Sequence, residues 1–222
     1  MPSIATSKLC KSFVGDLMLL LRNERNVSVF VEGGTHLGNT SYWASQHFQA
    51  VHTVEAEKTF FDAFELLPDK PANVRFYFGT TSQRLPEILK SVPSSAIYWL
   101  DSHWSAGASF GEGDECPLLQ EIELIYHSAS DPFIFIDDAR LFLSPPPPPH
   151  DVNQWPGIRE TLAALSAGER DPYVVIVHDT IISVPRSAEK IVQNWCRDTS
   201  GAVRPTSAES MFSRGKRKLG FR

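Results

Sequence analysis

Reading outward from Val29-Phe-Val-Glu-Gly-Gly-Thr-His-Leu-Gly-Asn-Thr40, we find a short apolar run, one acidic residue and a glycine-rich turn side by side. The apolar run, residues 29–31, predicts a buried strand, and residues 40–48 predict a helix. Glycine permits a positive φ and lets a ligand approach the backbone. A strand, a glycine turn and a helix in this order place a nucleotide-like ligand against the main chain. The spacing Glu-x-Gly-x-x-x-Gly does not match the dinucleotide fingerprint Gly-x-Gly-x-x-Gly.

An acidic residue directly precedes the glycines of this turn, and this pattern is found in a known family. The pattern of Glu32, Gly33, Gly34 and Gly38 resembles motif I of the class I S-adenosylmethionine-dependent methyltransferases. The resemblance implies that this loop, Thr35 included, wraps the methionine end of the cofactor. The alternative is an ordinary strand-to-helix turn with no ligand.

Length and composition favour a single globular domain. The chain has 222 residues, of which 42% are hydrophobic and 21% charged, enough to bury a substantial core. The net charge of −5 gives no reason to expect a nucleic-acid partner. Three widely spaced cysteines, Cys10, Cys116 and Cys196, argue against a disulfide framework or a zinc knuckle and predict a reducing, cytoplasmic setting.

The chain divides into three predicted segments. Residues 1–26 form an N-terminal helical segment, residues 27–200 the main domain, and residues 201–222 a basic tail. The apolar run at residues 17–21 is too short to span a bilayer, so it predicts the apolar face of a helix and no membrane association.

Apolar runs alternate with helical patterns along the main domain. The predicted strands are residues 29–31, 50–54, 74–77, 97–100, 133–136, 173–178 and 180–184. The predicted helices are residues 40–48, 58–66, 82–89, 117–127 and 154–167. This βαβ alternation predicts an α/β fold with parallel strands. The last two strands are separated by a single residue in the sequence, which predicts an antiparallel hairpin. The resemblance implies a Rossmann-like seven-stranded, mostly parallel sheet with helices on both faces. Residues 145–149, five prolines, predict an extended segment that is either a connector or a rim over the ligand site.

Ligands of open α/β sheets bind beyond the carboxyl ends of the strands. Glu55 ends the second strand about 20 residues after the glycines, which suits ribose hydroxyls, although an acid here also favours a helix N-terminus. Thr80 and Ser82 follow the third strand. The resemblance implies that this turn borders the adenine, and a helix cap is the alternative.

Three carboxylates follow two neighbouring strands. Asp101 comes after the fourth strand, and Asp137 and Asp138 come after the fifth. Like charges this close are costly unless a cation lies between them. Oxygen donors without cysteine suit Mg²⁺ or Mn²⁺.

This pairing resembles the metal-dependent sugar O-methyltransferases of the macrocin type over about residues 27–185. The resemblance implies that Asp101, Asp137 and Asp138 hold Mg²⁺, and that Asp101 also serves the cofactor and the reaction. It further implies that His103 is the general base, because that group's base closely follows the first aspartate, and a histidine titrates near neutral pH as a base should.

The predicted function is therefore methyl transfer from S-adenosylmethionine to a hydroxyl of a small molecule or sugar, assisted by a divalent metal. A homo-oligomer stays open. The alternatives are a methyltransferase for nucleic-acid bases, a nicotinamide-dependent oxidoreductase, a non-catalytic cofactor-binding scaffold for a partner, and a metal-dependent hydrolase.

Four further side chains near the predicted site have open roles. Arg140 can pair with the aspartates or with an anionic acceptor. Glu115 can cap a helix or reach the metal or the acceptor, and the structural role is favoured. His150 and Trp155, which flank the proline segment, are candidates for lining an acceptor pocket.

Overall fold

The computed structural model describes residues 13–104, 111, 113–129 and 131–200. The predicted basic tail, residues 201–222, lies outside the described residues. So do residues 1–12 of the predicted N-terminal segment.

Seven strands form one sheet in the order β3-β2-β1-β4-β5-β7-β6. Their bounds are Val29–Gly33 for β1, Ala50–Glu55 for β2, Val74–Phe78 for β3, Ile97–Leu100 for β4, Phe133–Ile136 for β5, Tyr173–Val177 for β6 and Thr180–Val184 for β7. β1 to β5 are parallel, and β7 runs antiparallel to both β5 and β6. The predicted Rossmann-like sheet with a C-terminal hairpin is confirmed.

Helices cover both faces of the sheet. Their bounds are Phe13–Arg25 for α1, Asn39–Ser45 for α2, Lys58–Glu65 for α3, Thr81–Ile88 for α4, Leu118–Ser128 for α5, Arg140–Leu143 for α6, Ile158–Leu165 for α7 and Glu189–Ser200 for α8. Alternate residues of β4 show how the sheet serves two cores. Tyr98 and Leu100 pack with α4 and α5, whereas Ile97 and Trp99 pack with α1 and α8. No described helix is both long enough and apolar enough to cross a membrane.

The helix predicted over residues 154–167 divides into two parts. A 3₁₀ turn spans Val152–Gln154, and α7 begins only at Ile158. Pro156 explains the break, because a proline disfavours helical backbone at the residue before it, here Trp155. The proline segment at residues 145–149 is neither helix nor strand, as its composition predicts.

Candidate functional site

The glycine loop between β1 and α2 lies directly against the end of β4. Gly34 has a φ of +89°, and a Cβ added there would lie 2.8 Å from the carbonyl carbon of Asp101 and closer still to its oxygen. The backbone N–H groups of Gly34 and Thr35 both donate to the carbonyl of Val54, at 3.0 and 3.1 Å. Glycine is therefore required at position 34 so that the loop can approach Asp101.

Glu32 supports this loop through a network of buried hydrogen bonds. The residue is 1% exposed, and its carboxyl group accepts hydrogen bonds from the hydroxyls of Ser41 and Thr53, the latter at 2.6 Å. Thr53 also meets the hydroxyl of Thr35 at 2.5 Å, so the network reaches the loop itself. Burial raises the pKa of Glu32 to about 8, although the hydrogen bonds from Ser41 and Thr53 oppose this. The side chain therefore joins β1, β2, α2 and the loop.

Glu55 ends β2 beside the same loop. One carboxylate oxygen accepts from the N–H of His36 and the other from the N–H of Glu57, both at 2.7 Å. A carboxylate oxygen has two lone pairs, so each oxygen can accept a further hydrogen bond. The contacts fix the side chain at the edge where the sequence predicts ribose binding.

Thr80 and Ser82 lie at the start of α4. Thr80 is the N-cap residue and shares a capping box with Gln83. The two hydroxyls of Thr80 and Ser82 meet at 3.2 Å. The helix-capping role is thus present for Thr80, and contact with adenine stays a prediction.

Asp101, His103 and Asp138 come together at the carboxyl ends of β4 and β5. One potential ligand atom from each lies within 4.8 Å of the others. His103 Nε2 lies 3.1 Å from Asp138 Oδ2 and 3.8 Å from Asp101 Oδ1. Two carboxylates and an imidazole are of the ligand types that can hold a divalent cation.

Asp137 occupies a different position from its neighbour. It is buried, and its Oδ1 accepts the N–H of Asp138 at 2.9 Å. Asp138 has a φ of +56°, so its side chain leaves the strand end in another direction. Among the described residues, the group that could hold a metal therefore contains His103 and not Asp137. Metal binding by Asp137 stays a prediction.

His103 lies in a buried, acidic environment. Burial works against its charged form, but the hydrogen bond to Asp138 and the nearby charges of Asp101 and Asp137 outweigh it, so the pKa of His103 is raised. Its ring also packs edge-on against Phe142 and Trp155, with centroids 6.4 and 5.3 Å away. The aromatic contacts hold the imidazole toward the two aspartates.

Arg140 pairs with Asp138 rather than standing alone. Its Nη1 donates to Asp138 Oδ1 at 2.7 Å and also pairs with Asp179 in the turn between β6 and β7. Sequence reasoning gave Arg140 a possible role at the site and placed Asp179 only in the turn between the last two strands. The turn residue lies 39 positions away along the chain, and only the pairing of β5 with β7 brings it here.

Glu115 binds the segment that follows the prolines. Its carboxylate accepts from the Trp155 indole at 2.7 Å, the Asp151 N–H at 3.0 Å and His150 Nδ1 at 3.1 Å. Burial disfavours the charged form of Glu115, but these hydrogen bonds outweigh it and lower its pKa. The structure therefore directs His150 and Trp155 toward Glu115, and a role in an acceptor pocket stays a prediction.

Glu121 was missed by sequence reasoning. It is 1% exposed on α5 and accepts a hydrogen bond from Ser102, the residue between Asp101 and His103, at 2.5 Å. Burial raises its pKa to about 7. A signal existed, because Glu121 follows Leu118 by three positions and precedes Ile125 by four, which places it on the apolar face of the helix.

The fold is similar to that of solved methyltransferases. The O-methyltransferase TomG from Streptomyces achromogenes, which is involved in tomaymycin synthesis and was solved with SAM, is 16% identical over 83% of this chain and 83% of that chain, with a TM-score of 0.55. Human methyltransferase-like protein 13, solved with SAH, is 12% identical over 88% of this chain and 95% of that chain, with a TM-score of 0.52. No protein-family model and no curated protein matches the sequence. The chain thus has the fold of the class I S-adenosylmethionine-dependent methyltransferases.

Proposed function

We propose that this protein is an S-adenosylmethionine-dependent O-methyltransferase that acts on a hydroxyl of a small molecule or sugar with the help of a divalent cation. One observation carries the proposal. The acid–imidazole group of Asp101, His103 and Asp138 adjoins the glycine loop, because Gly34 packs against the carbonyl of Asp101. A methyl donor over the loop and an acceptor at the acidic group would then be neighbours.

The proposed binding site for the methyl donor, called the donor side here, consists of the glycine loop and Glu55. The fold is that of proteins solved with SAM and SAH, and the loop presents backbone at the ligand-binding edge of the sheet. Glu55 ends β2 next to that loop, with both carboxylate oxygens oriented by backbone N–H groups. These oxygens are the proposed acceptors for the two ribose hydroxyls.

The proposed site for the methyl acceptor, called the acceptor side here, consists of Asp101, His103 and Asp138. Asp101 and Asp138 would hold Mg²⁺ or Mn²⁺, with Asp137 kept as a further predicted ligand. When bound, such an ion supplies Lewis acidity that lowers the pKa of an acceptor hydroxyl. The His103 imidazole would take the hydroxyl proton, and Asp138, whose Oδ2 faces Nε2, would stabilise the resulting imidazolium.

The chain's main contribution is orientation. The methyl group of a sulfonium is already electrophilic, so the protein has to align the acceptor oxygen with the methyl carbon and the departing sulfur. Holding two reactants in this geometry contributes on the order of 7–11 kcal/mol to lowering the barrier. The close packing of Gly34 on the residues after β4 supports this proposal, because it would keep the methyl donor and the acceptor at a constant separation.

Cofactor binding is tested by calorimetry with S-adenosylhomocysteine and, separately, with NADH. We expect the wild type to bind S-adenosylhomocysteine and not NADH. Glu55→Gln should weaken this binding about tenfold or more. Glu57→Gln is the matched control, because Glu57 lies two positions away and caps α3 through Thr59. Binding of NADH alone would refute the proposal in favour of an oxidoreductase.

Catalysis is tested by release of S-adenosylhomocysteine from S-adenosylmethionine with a panel of catechols and sugars that carry vicinal hydroxyls. Asp138→Asn should abolish turnover and leave the affinity for S-adenosylhomocysteine within about twofold. EDTA should inactivate the enzyme and Mg²⁺ should restore it. Full activity in EDTA would remove the metal from the proposal, and equal loss of cofactor binding in Asp138→Asn would contradict the separation of the two sides.

A further inference from the structure

We infer that Asp179, in the turn of the β6–β7 hairpin, is a positioning residue that acts through Arg140 to orient the carboxylate of Asp138. The inference rests on the proposed function, in which Asp138 is a metal ligand. It assigns the C-terminal hairpin a direct part in building the site.

The two oxygens of Asp138 have different neighbours. Oδ1 accepts from Arg140 Nη1 at 2.7 Å, and Oδ2 lies 3.1 Å from His103 Nε2, in the group with Asp101. The bond to Arg140 therefore orients Oδ2 toward the centre of the acid–imidazole group. Without it, rotation of the carboxylate would allow either oxygen to face outward.

Arg140 needs Asp179 to hold this orientation. The Arg140 side chain is 59% exposed, and an exposed ion pair by itself contributes little because solvent screens it and the long side chain loses entropy. Asp179 restricts Arg140 at two points, since its carboxylate accepts the backbone N–H of Arg140 at 2.8 Å and also pairs with the Arg140 guanidinium. The Asp179 carbonyl accepts the N–H of Ala139 at 2.8 Å.

The turn itself explains why an aspartate stands there. His178 and Asp179 have φ values of +50° and +63°, and the flanking residues Val177 and Thr180 pair across the hairpin. Two central residues with positive φ define a type I′ turn, in which asparagine and aspartate are favoured. Pairing of Ile136 with Ile181 places this turn at the carboxyl end of β5, beside Asp138.

The experiment compares Asp179→Asn with Asp171→Asn. Asparagine suits the turn, so the first variant keeps the hairpin and loses the charge. Asp171 forms a matched aspartate–arginine pair with Arg186, whose Nε lies 3.0 Å away, at the opposite end of β6. Mn²⁺ binding to the full-length protein is measured by electron paramagnetic resonance. We expect about tenfold weaker binding for Asp179→Asn, because Arg140 would no longer be held against the proposed metal ligand Asp138, and no more than a twofold change for Asp171→Asn.

Two further measurements separate this inference from the proposed function. S-adenosylhomocysteine should bind both variants as it binds the wild type. A crystal structure of metal-free Asp179→Asn should show the Asp138 carboxylate rotated, with Oδ2 no longer hydrogen-bonded to His103. An unchanged Asp138 in that structure, or equal Mn²⁺ affinity in the two variants, would overturn the inference. A wild type that binds no Mn²⁺ would refute the metal role, and the metal-free structure would still decide the role of Asp179.

Discussion

Replacing Gly34 with alanine should damage both stability and the site. The position has a φ of +89°, and an alanine Cβ would lie 2.8 Å from the Asp101 carbonyl carbon, well inside normal contact distance. Left-handed backbone costs an L-residue about 1–2 kcal/mol. Relieving the overlap by shifting backbone adds about 1–3 kcal/mol. We therefore expect Gly34→Ala to lower the free energy of unfolding by about 2–5 kcal/mol.

A second glycine isolates the effect of the contact. Gly168 has a φ of +74°, and a Cβ there would meet nothing within 4 Å. Gly168→Ala should therefore show the backbone cost alone, about 1–2 kcal/mol. The difference between the two variants measures how tightly the loop packs on the end of β4.

Urea unfolding monitored by tryptophan fluorescence gives both free energies. S-adenosylhomocysteine affinity gives the consequence for the site, and we expect it to fall at least tenfold in Gly34→Ala and to stay unchanged in Gly168→Ala. Equal destabilisation by the two substitutions would refute the reasoning. It would mean that the loop can move away from Asp101 at no cost, so that the packing cannot fix the distance between donor and acceptor.

Two further predictions concern buried acids. Because the pKa of Glu32 is raised to about 8, wild-type stability should fall as pH rises from about 5 to 8, and Glu32→Gln, which cannot ionise, should lose less over that range in urea unfolding. A parallel decline in both proteins would contradict this. Trp155→Phe removes the 2.7 Å hydrogen bond to Glu115 and should cost about 1–3 kcal/mol, measured by thermal unfolding, because a buried carboxylate loses one of its three hydrogen-bond donors. A change below 0.5 kcal/mol, about the size of a surface substitution, would show that Glu115 is satisfied without the indole.

The strands of the sheet were predictable because each can be recognised from its own short sequence. Residues 97–100 and 133–136 are short, wholly apolar and match β4 and β5 in full. A strand buried on both faces needs no partner to be recognised, since its residues are apolar at every position. The order of the strands is a different matter, because it depends on which crossovers pack, and only the resemblance supplied it.

The helix α8 shows where local patterns are insufficient. Glu189–Ser200 has a polar average composition and buries only a narrow stripe that includes Val192 and Trp195. That stripe packs with α1 at the far end of the chain, so tertiary contact rather than apolar content selects the helix. The short helix α6 escapes prediction for a related reason, since four residues are too few for a period to appear.

The site divides in the same way. Asp101 and Asp138 were predictable neighbours because parallel strands β4 and β5 end at one edge. The sequence could not show which of the two successive aspartates faces Asp101 and His103, because this depends on the left-handed backbone of Asp138. The contact of Asp179 depends on a hairpin register that no local pattern contains.

Burial gives the acidic residues of this edge two distinct tasks. Glu32 and Glu121 are 1% exposed with pKa values raised to about 8 and about 7, and each is hydrogen-bonded to hydroxyls that hold a loop in place. Asp101 and Asp138 instead face each other and an imidazole beside that framework. Packing alone explains the first pair. The second pair needs positive charge nearby, because adjacent carboxylates repel, and Arg140 and the raised pKa of His103 supply part of it. The proposal of chemistry at this edge therefore depends on where the group lies, next to the glycine loop, and not on its charge alone.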